Sequence, residues 1–382
     1  MEKIRFGMIG GAPDSFIGPV HRLSALLTGR AEMVCGSFSR DYKKSLETAN
    51  QYFIKDNRVY RDYQEMFEKE STLTEEERMQ FVIIATPNHL HHPMATSALE
   101  HGFHVVCDKP LTTTSSDAVS LQKKTLETGK LFALTHPYSA YPMIKQARHI
   151  ISSGELGKVR KVVVEYPQGW LSQPLEKRGN KQAEWRTDPE MSGKSGTLAD
   201  IGVHAFQLAE HVSGEQVNEV CADLTTFIED RRLEDDANLL LRFKNGAKGV
   251  LYASQISAGE ENNIRLRVYC EKGSIDFFQH EPNSLTVRKL DEPMKVYRTG
   301  SFDFLCEPAN RFTRLPAGHP EGLIEAFANI YMEFCNAIDA YNKGEDTGKF
   351  DFPGIEDGVR GMYFIDAALK SSSVNGQWIK ID

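Results

Sequence analysis

The sequence holds little cysteine and no cysteine pattern. Cys35, Cys107, Cys221, Cys270, Cys306 and Cys335 stand singly, with no CxxC pair. That excludes a disulfide framework and a zinc ribbon, and it fits reduced thiols in a cytoplasmic protein. No apolar run approaches the ~20 residues of a membrane span. Positive charge is not in excess: 45 Lys and Arg stand against 53 Asp and Glu, a net charge of −8. A general nucleic-acid or anionic-membrane binder is therefore disfavoured, and only a local basic patch stays open. With 29 glycines and 16 prolines, usage is ordinary, which removes collagen-like and low-complexity readings. The opening MEKIRFGMIGG is a charged lead into a strand, without signal-peptide architecture. What remains is globular composition, 40% apolar and 26% charged, over 382 residues. That length exceeds one ordinary core, so two domains are expected.

Hydrophobic periodicity divides the chain. Strand signals at Ile4–Ile9, Met33–Phe38, Phe81–Ala85, His104–Cys107 and Leu131–Thr135 alternate with helix signals. The helices are expected at Val20–Leu27, Lys43–Phe53, Asp62–Glu68, Pro93–His101 and Ser116–Thr128. This alternation predicts βαβ units and a parallel sheet with right-handed crossovers. The bare apolar run FVIIA suits a strand covered on both faces. After about residue 135 the period changes. A helix is expected over Ala140–Ser153 and a strand over Lys158–Tyr166, followed by a polar stretch, Gln168–Asn180, and a helix over Gly202–Val212. From Val217 to Arg288 strands succeed one another without helices, with turns at Lys244–Gly246 and Glu271–Gly273, which predicts a largely antiparallel sheet. The stretch LLLRFKNGAKGVLYASQ reads as a hairpin about an Asn-Gly turn. Helices over Glu321–Tyr341 and Gly358–Lys370 close the chain. The expected division is residues 1–134 and 135–382.

Gly10, Gly11 and Gly18 lie between the first strand and the first helix. Such a turn lets backbone N–H groups approach a pyrophosphate at a helix N-terminus. The segment GGAPDSFIG is stretched relative to GxGxxG, and plain turn chemistry is the alternative; its position after a strand and before a helix favours a dinucleotide. An acidic residue at the end of the second strand would accept the ribose 2′-OH of NAD. Here stand Ser39, Arg40 and Asp41. A hydroxyl and a guanidinium suit a 2′-phosphate, while Asp41 keeps NAD open. The choice between NAD and NADP stays open, leaning to NADP on these residues.

Three more stretches are distinctive: ATPNHLHHP at 85–93, GFHVVCDKPL at 102–111 and SGTLADIGVHAFQLAEHV at 195–212. Together with GMIGG, in this order and over essentially the whole chain, they resemble the Gfo/Idh/MocA oxidoreductases, the glucose–fructose oxidoreductase and inositol dehydrogenase family. The resemblance implies a Rossmann domain followed by an α/β domain with a large, mostly antiparallel open sheet. It implies a nicotinamide cofactor, with Thr86, Pro87, Asn88 and His91 along its nicotinamide-ribose edge and Asp108 near the ribose. It also implies a homo-oligomer, dimer or tetramer, because the open sheet has a face to cover. The sequence departs from the family pattern in three places. Asp108-Lys109-Pro110 replaces Glu-Lys-Pro, Gln207 replaces the last Asp of His-x-x-Asp, and the glycine turn carries an insertion of about three residues.

Lys109 follows a parallel strand, at the end where ligands of open α/β sheets bind. Partial desolvation there would lower its pKa and let it help remove a hydroxyl proton as hydride leaves. A surface lysine is the plain alternative, and the DKP context with the resemblance reverses it. Asp200 and His204, spaced i, i+4, would share one helix face, with Asp200 capping the helix or orienting a hydroxyl. An unperturbed imidazole suits proton transfer at neutral pH, which makes His204 a candidate to receive the proton. Lys109 and His204 are expected as the acid/base pair at one bound dinucleotide, with Asp200 as electrostatic partner; which of the two takes the proton is open. The His89, His91, His92 loop lacks a matching ligand cluster elsewhere, so no metal is expected. His136 and Tyr138 follow the last parallel strand, and Gln168, Trp170, Trp185 and Arg186 are expected in loops after the strand ending at Tyr166. Aromatic platforms with amide donors suit a sugar or cyclic polyol, although tryptophans equally serve as core. His319, before a late helix, ranks below these. The expected activity is an NAD(P)-dependent dehydrogenase acting on a secondary hydroxyl of a small-molecule sugar or polyol. A glycosidase using transient oxidation and a cofactor-binding sensor are the alternatives.

Overall fold

The alternating signals of the first third form five strands and five helices: β1 (Ile4–Gly10), α1 (Ile17–Leu27), β2 (Ala31–Ser37), α2 (Tyr42–Gln51), α3 (Tyr63–Ser71), β3 (Phe81–Ala85), α4 (His91–Glu100), β4 (His104–Cys107), α5 (Ser115–Thr128) and β5 (Phe132–Leu134). The computed structural model describes residues 2–13 and 15–381. The five strands make a parallel sheet of order β2-β1-β3-β4-β5. Every residue of β3 is buried, as a central strand covered on both faces requires. Three of these helices begin where a short polar side chain takes an otherwise orphaned N–H. Asp41 accepts from Lys43 N at 3.0 Å, Asp62 from Glu65 N at 2.8 Å and Thr114 from Asp117 N at 3.1 Å.

The rest of the chain supplies α6 (Pro142–Ser152), β6 (Val159–Pro167), α7 (Lys181–Arg186), α8 (Pro189–Ser192), α9 (Val203–Ser213), β7 (Val217–Thr225), β8 (Asp236–Phe243), β9 (Lys248–Ser254), β10 (Arg265–Cys270), β11 (Gly273–Phe278), β12 (Ser284–Lys289), β13 (Lys295–Arg298), α10 (Glu307–Arg311), α11 (Leu323–Asn342), α12 (Ile355–Ser373) and β14 (Ile379–Lys380). Nine strands form one sheet of order β13-β12-β11-β10-β6-β9-β8-β7-β14, antiparallel at every pairing except β6 with β9. Strand alternation separates its faces. Val162, Val164, Leu239, Leu241, Leu266 and Val268 are buried on one face, and α9 packs against β6 and β10 there. Glu165, Leu240, Arg267 and Tyr269 point the other way, and Arg267 pairs with Glu165 at 2.7 Å. The β8–β9 hairpin turns at Asn245-Gly246, with Gly246 at φ +92°.

Compactness divides the chain into Met1–Thr135 with Phe327–Val359, and His136–Ala326 with Arg360–Asp382. Assigning the whole of 135–382 to the second domain is therefore corrected. Most of α11 belongs with the parallel sheet because its apolar face packs there. Tyr331 and Phe334 lie with ring centroids 6.5 and 5.6 Å from Phe81 of β3. The start of α11 also moves, from Glu321 to Leu323. The Glu321 carboxylate is taken up by Arg314 N at 2.6 Å and Leu315 N at 2.8 Å, which holds that residue in the preceding loop. In the second unit, α12 packs on α9 through Phe364 and Phe206, stacked with centroids 4.1 Å apart.

Candidate functional site

In the first unit, β1 runs into a turn built from bare backbone. Gly10 and Gly11 both have φ +78°, where a side chain is strained. A Cβ at Gly10 would lie 2.4 Å from the Ala85 carbonyl oxygen, and one at Gly18 would lie 2.1 Å from the Gly11 Cα. Gly18 is thus where α1 closes onto the turn. Tyr52 Oη pins the turn by donating to Gly11 O at 3.0 Å. Among the described residues no side chain caps the N-terminus of α1, and Ser15 Oγ is buried without a hydrogen-bond partner. A concave backbone, an uncapped helix start and an orphaned hydroxyl fit the pyrophosphate of a dinucleotide. At the end of β2, Ser39 Oγ accepts from Asp41 N at 3.1 Å, and Asp41 is engaged in capping α2. Arg40 is exposed.

Lys109 stands two residues past the end of β4, half-buried, and its peptide bond to Pro110 is cis. Its neighbour Asp108 accepts from Thr135 Oγ1 at 2.8 Å and lies 3.8 Å from His21 Nε2. Burial alone would raise the Asp108 carboxyl. The His21 imidazole, then Lys109 and His91, outweigh burial and hold it well below the usual carboxylate range. His21, on α1, is wholly buried, with Nδ1 2.6 Å from Tyr331 Oη of α11. Thr86, Pro87 and Asn88 follow β3, at the same end of the sheet as Lys109. His91 differs from expectation. Its ring is fully buried, with Nδ1 2.8 Å from the Pro110 carbonyl and Nε2 3.0 Å from that of Thr86. It braces the two loops instead of offering an edge to a ligand, and burial lowers its pKa.

The second unit gathers most of its expected residues. His136 and His204 are buried, with their Nδ1 atoms 3.0 Å apart and ring planes at 90°. Tyr138 lies edge-on to His204 with centroids 5.1 Å apart, and its hydroxyl meets that of Tyr166. Tyr166 Oη donates to Asn262 Oδ1 at 2.9 Å. Asn262 Nδ2 donates to Tyr138 Oη at 3.2 Å and to Gln279 Oε1 at 3.1 Å. Gln168 Nε2 also reaches Asn262, and Trp170 Nε1 donates to Gln168 Oε1 at 3.0 Å. Burial raises the pKa of both tyrosines, so they stay protonated donors. A second cluster centres on Asp200, 3.3 Å from Arg186 Nε and accepting from Gln255 Nε2 at 2.8 Å. Gln255 Oε1 in turn accepts from Thr197 Oγ1 at 3.0 Å. The Arg186 guanidinium lies 4.1 Å from the Trp185 ring centroid and 5.8 Å from that of Trp170.

Three placements correct the expectations here. Asp200 does not start an α-helix with His204 one turn on. It sits in a π-helical turn, Leu198–Gly202, ahead of α9, whose N-cap is Gly202 with no side-chain cap. The wider turn re-aims Asp200 toward Arg186 and Gln255; such turns recur at functional sites. The cap on this segment is the buried Glu234, accepting from Gly196 N at 2.9 Å and Leu198 N at 3.1 Å. Trp185 and Arg186 are not in a loop but on α7, started by Asn180, which accepts from Gln182 N at 3.0 Å. His319 is exposed in the loop before α11, and its ring turns back to within 3.3 Å of the Pro316 carbonyl. Reasoning from sequence missed Tyr166, Asn262, Gln279, Gln255, Thr197 and Glu234. Their only signal was polarity or a phenol within or beside an apolar strand run.

Comparison with known proteins agrees with both halves. The oxidoreductase family with an NAD-binding Rossmann fold matches residues 4–136, and the GFO/IDH/MocA C-terminal domain matches residues 144–276. An uncharacterised oxidoreductase of Bacillus subtilis (strain 168) is 31% identical over 99% of this chain and 97% of its own length. Levoglucosan dehydrogenase of Pseudarthrobacter phenanthrenivorans is 25% identical over 100% of this chain and 99% of its own. An inositol dehydrogenase homologue from Azotobacter vinelandii, solved with NAD+, superposes with TM-score 0.95 at 33% identity, covering 99% of this chain and 97% of that one. A structure of an inositol dehydrogenase homologue from that organism with NADH and myo-inositol gives TM-score 0.92 at 32% identity, covering 99% and 98%. No helix among the described residues is long and apolar enough to cross a membrane. With both halves matched and a relative above 30% identity along nearly its whole length, the chain belongs to the GFO/IDH/MocA family of NAD-binding oxidoreductases.

Proposed function

We propose that the protein is an NAD(P)-dependent dehydrogenase that oxidises a secondary hydroxyl of a sugar or cyclic polyol. The observation that carries this reading is the second-unit cluster. Tyr138, Tyr166, Asn262, Gln168 and the Asp200–Arg186–Gln255 group offer hydroxyl-directed donors and acceptors beside Trp170. An apolar ring with a polar rim suits a cyclic polyol, whose C–H faces are apolar and whose edge is all hydroxyl. The relatives named for inositol and levoglucosan point the same way.

Gly10, Gly11, Gly18 and Ser15 would hold the pyrophosphate, and Thr86, Pro87, Asn88 and Asp108 the nicotinamide ribose. When bound, the nicotinamide supplies the hydride acceptor. Lys109 hydrogen-bonds the reacting hydroxyl and, with His204, manages its proton. Asp200, fixed by Arg186 and Gln255, accepts from a neighbouring substrate hydroxyl and sets the sugar's orientation. Tyr138 supports the His204 ring edge-on. At the nucleotide's other end, Ser39 and Arg40 suit a 2′-phosphate, since Asp41 is committed to capping α2. The outward sheet face, with Leu240 49% and Tyr269 40% exposed, suits a homo-oligomer, dimer or tetramer. Six free cysteines suit a reducing compartment such as the cytoplasm.

The test follows reduced-nicotinamide absorbance across inositols, hexoses and anhydro sugars with both nucleotides. Turnover on at least one polyol is expected, and Lys109→Ala and His204→Ala should each lower kcat by roughly 10²-fold or more. Wild-type turnover in both variants would remove the role assignment. Release of a sugar leaving group without net reduction would replace the dehydrogenase reading with the transient-oxidation one.

A further inference from the structure

Two imidazole nitrogens 3.0 Å apart constrain each other. Two bare Nδ1 atoms would set lone pair against lone pair, and two protonated ones would set proton against proton. One shared proton therefore lies between His136 and His204. That proton decides the state of the other His204 nitrogen. When it belongs to His204, a neutral His204 has a bare Nε2 and is a base. When it belongs to His136, a neutral His204 carries its proton on Nε2 and is an acid. Both rings are almost completely buried, 1% and 7% exposed, so bulk water does not set this choice.

We propose that His136 is a positioning residue for His204: the two form a proton relay that lets His204 act as the terminal base for the substrate hydroxyl. This rests on the dehydrogenase reading above. The carbinol O–H bond breaks and its proton goes to His204 Nε2. The shared proton moves from His204 Nδ1 to His136 Nδ1 as the carbinol carbon gives up its hydride and the C–O bond becomes C=O. The positive charge then resides on His136, one ring further from the reacting carbon. The reverse shift returns the proton during ketone reduction. The pair holds at most one positive charge, because a second would need two protons in the bridge. Tyr138 from the turn after β5 and Tyr166 from β6 face the His204 ring, and Asp200, paired with Arg186 of α7, lies in the π-turn that leads into the helix carrying His204. The tyrosines stay neutral, and the Asp200 charge is matched by Arg186, so the shared proton is the mobile one.

The experiment uses the full-length enzyme with whichever polyol it accepts. His136→Phe keeps a ring of similar size and removes the relay. His136→Asn can still accept from His204 Nδ1 but cannot take on the charge. His136→Phe should lower kcat roughly 10²-fold with KM changed less than about threefold. His136→Asn should recover about tenfold of that loss, with the acid limb of kcat/KM moved to lower pH because the cation is no longer shared. Wild-type kcat and an unmoved acid limb in both variants would overturn the relay. Should either variant fold poorly, 15N-histidine NMR of the wild-type protein decides the matter. One proton taken up by the pair as a unit supports it, and two independent titrations refute it. If the wild-type enzyme turns over no polyol, the dehydrogenase reading fails, and the NMR result still tests the shared proton.

Discussion

A single methyl group at Gly18 tests whether the glycine turn is a nucleotide site or only a tight bend. Its Cβ would lie 2.1 Å from the Gly11 Cα and 2.7 Å from Ser15 Oγ. Carbon atoms in contact prefer about 3.5–4.0 Å, so in Gly18→Ala the start of α1 and the turn must part by about 1.5 Å. Overpacking of this kind costs about 1–3 kcal/mol in stability. The larger consequence is for binding. Parting α1 from the turn withdraws backbone N–H groups from the pyrophosphate position. Each hydrogen bond to a charged group contributes about 1.5–3 kcal/mol, so losing one weakens nucleotide binding roughly ten- to hundredfold. NADH fluorescence titration and thermal unfolding, run together, separate the two effects. The control is Gly354→Ala, in the same unit, where the new Cβ meets only Phe132 O at 3.7 Å. Gly18→Ala with wild-type affinity would refute the reasoning, as would an equal loss in Gly354→Ala.

Two further outcomes are expected. His104 accepts the Leu131 N–H on Nδ1 at 2.9 Å, and burial, with help from Lys130, lowers its pKa to about 3. Since the unfolded value is about 6.5, the neutral ring stabilises the fold above that pH, and the contribution is lost as pH falls toward about 3, about 2 kcal/mol of it by about pH 5. Urea midpoints should fall accordingly, while His104→Asn, which keeps an acceptor without a titration, should flatten the slope; an unchanged slope in the variant contradicts the assignment. Arg40→Ala should weaken NADP binding about tenfold or more, one charge-assisted hydrogen bond's worth, and leave NAD unchanged in calorimetric titration. An NADP affinity equal in variant and wild type removes Arg40 from the 2′-phosphate site.

Much of the fold was legible because its signals are local. FVIIA announces a doubly covered strand within five residues, and the glycine turn lies wholly between β1 and α1. Lys109 could be assigned an end of the sheet because parallel strands all point one way. What was not legible depends on partners distant in sequence. Gln168 and Asn262 meet through an isolated bridge that only the β6–β10 pairing creates. Gln279 joins them because β11 folds back on β10. The π-turn at Asp200 has no signature in LADIG; it is held by Glu234, which lies 34 residues beyond Asp200 and leads into β8. The return of Phe327–Val359 to the first unit was hidden because an amphipathic helix records that it has a buried face, not which sheet buries it.

That returning helix also helps hold Asp108, which stands where the Glu-Lys-Pro pattern of the resemblance would place a Glu. A carboxylate one methylene shorter reaches less far from β4 and needs support close to the strand. Thr135 gives one hydrogen bond at 2.8 Å, and His21 Nε2 faces the same oxygen at 3.8 Å. On its other side His21 is held by Tyr331. Burial pushes the Tyr331 phenol well above its ordinary pKa, so the hydroxyl stays protonated, and it lies 2.6 Å from His21 Nδ1. In the tautomer that accepts at Nδ1, the ring's proton sits on Nε2, the nitrogen turned toward Asp108. The contacts run from Tyr331 through His21 to Asp108, whose carboxyl is held well below the usual range and so stays an anion directly beside Lys109. The substitution preserves the charge next to the lysine while moving its support into the buried interior, onto a tyrosine more than 220 residues further along the chain.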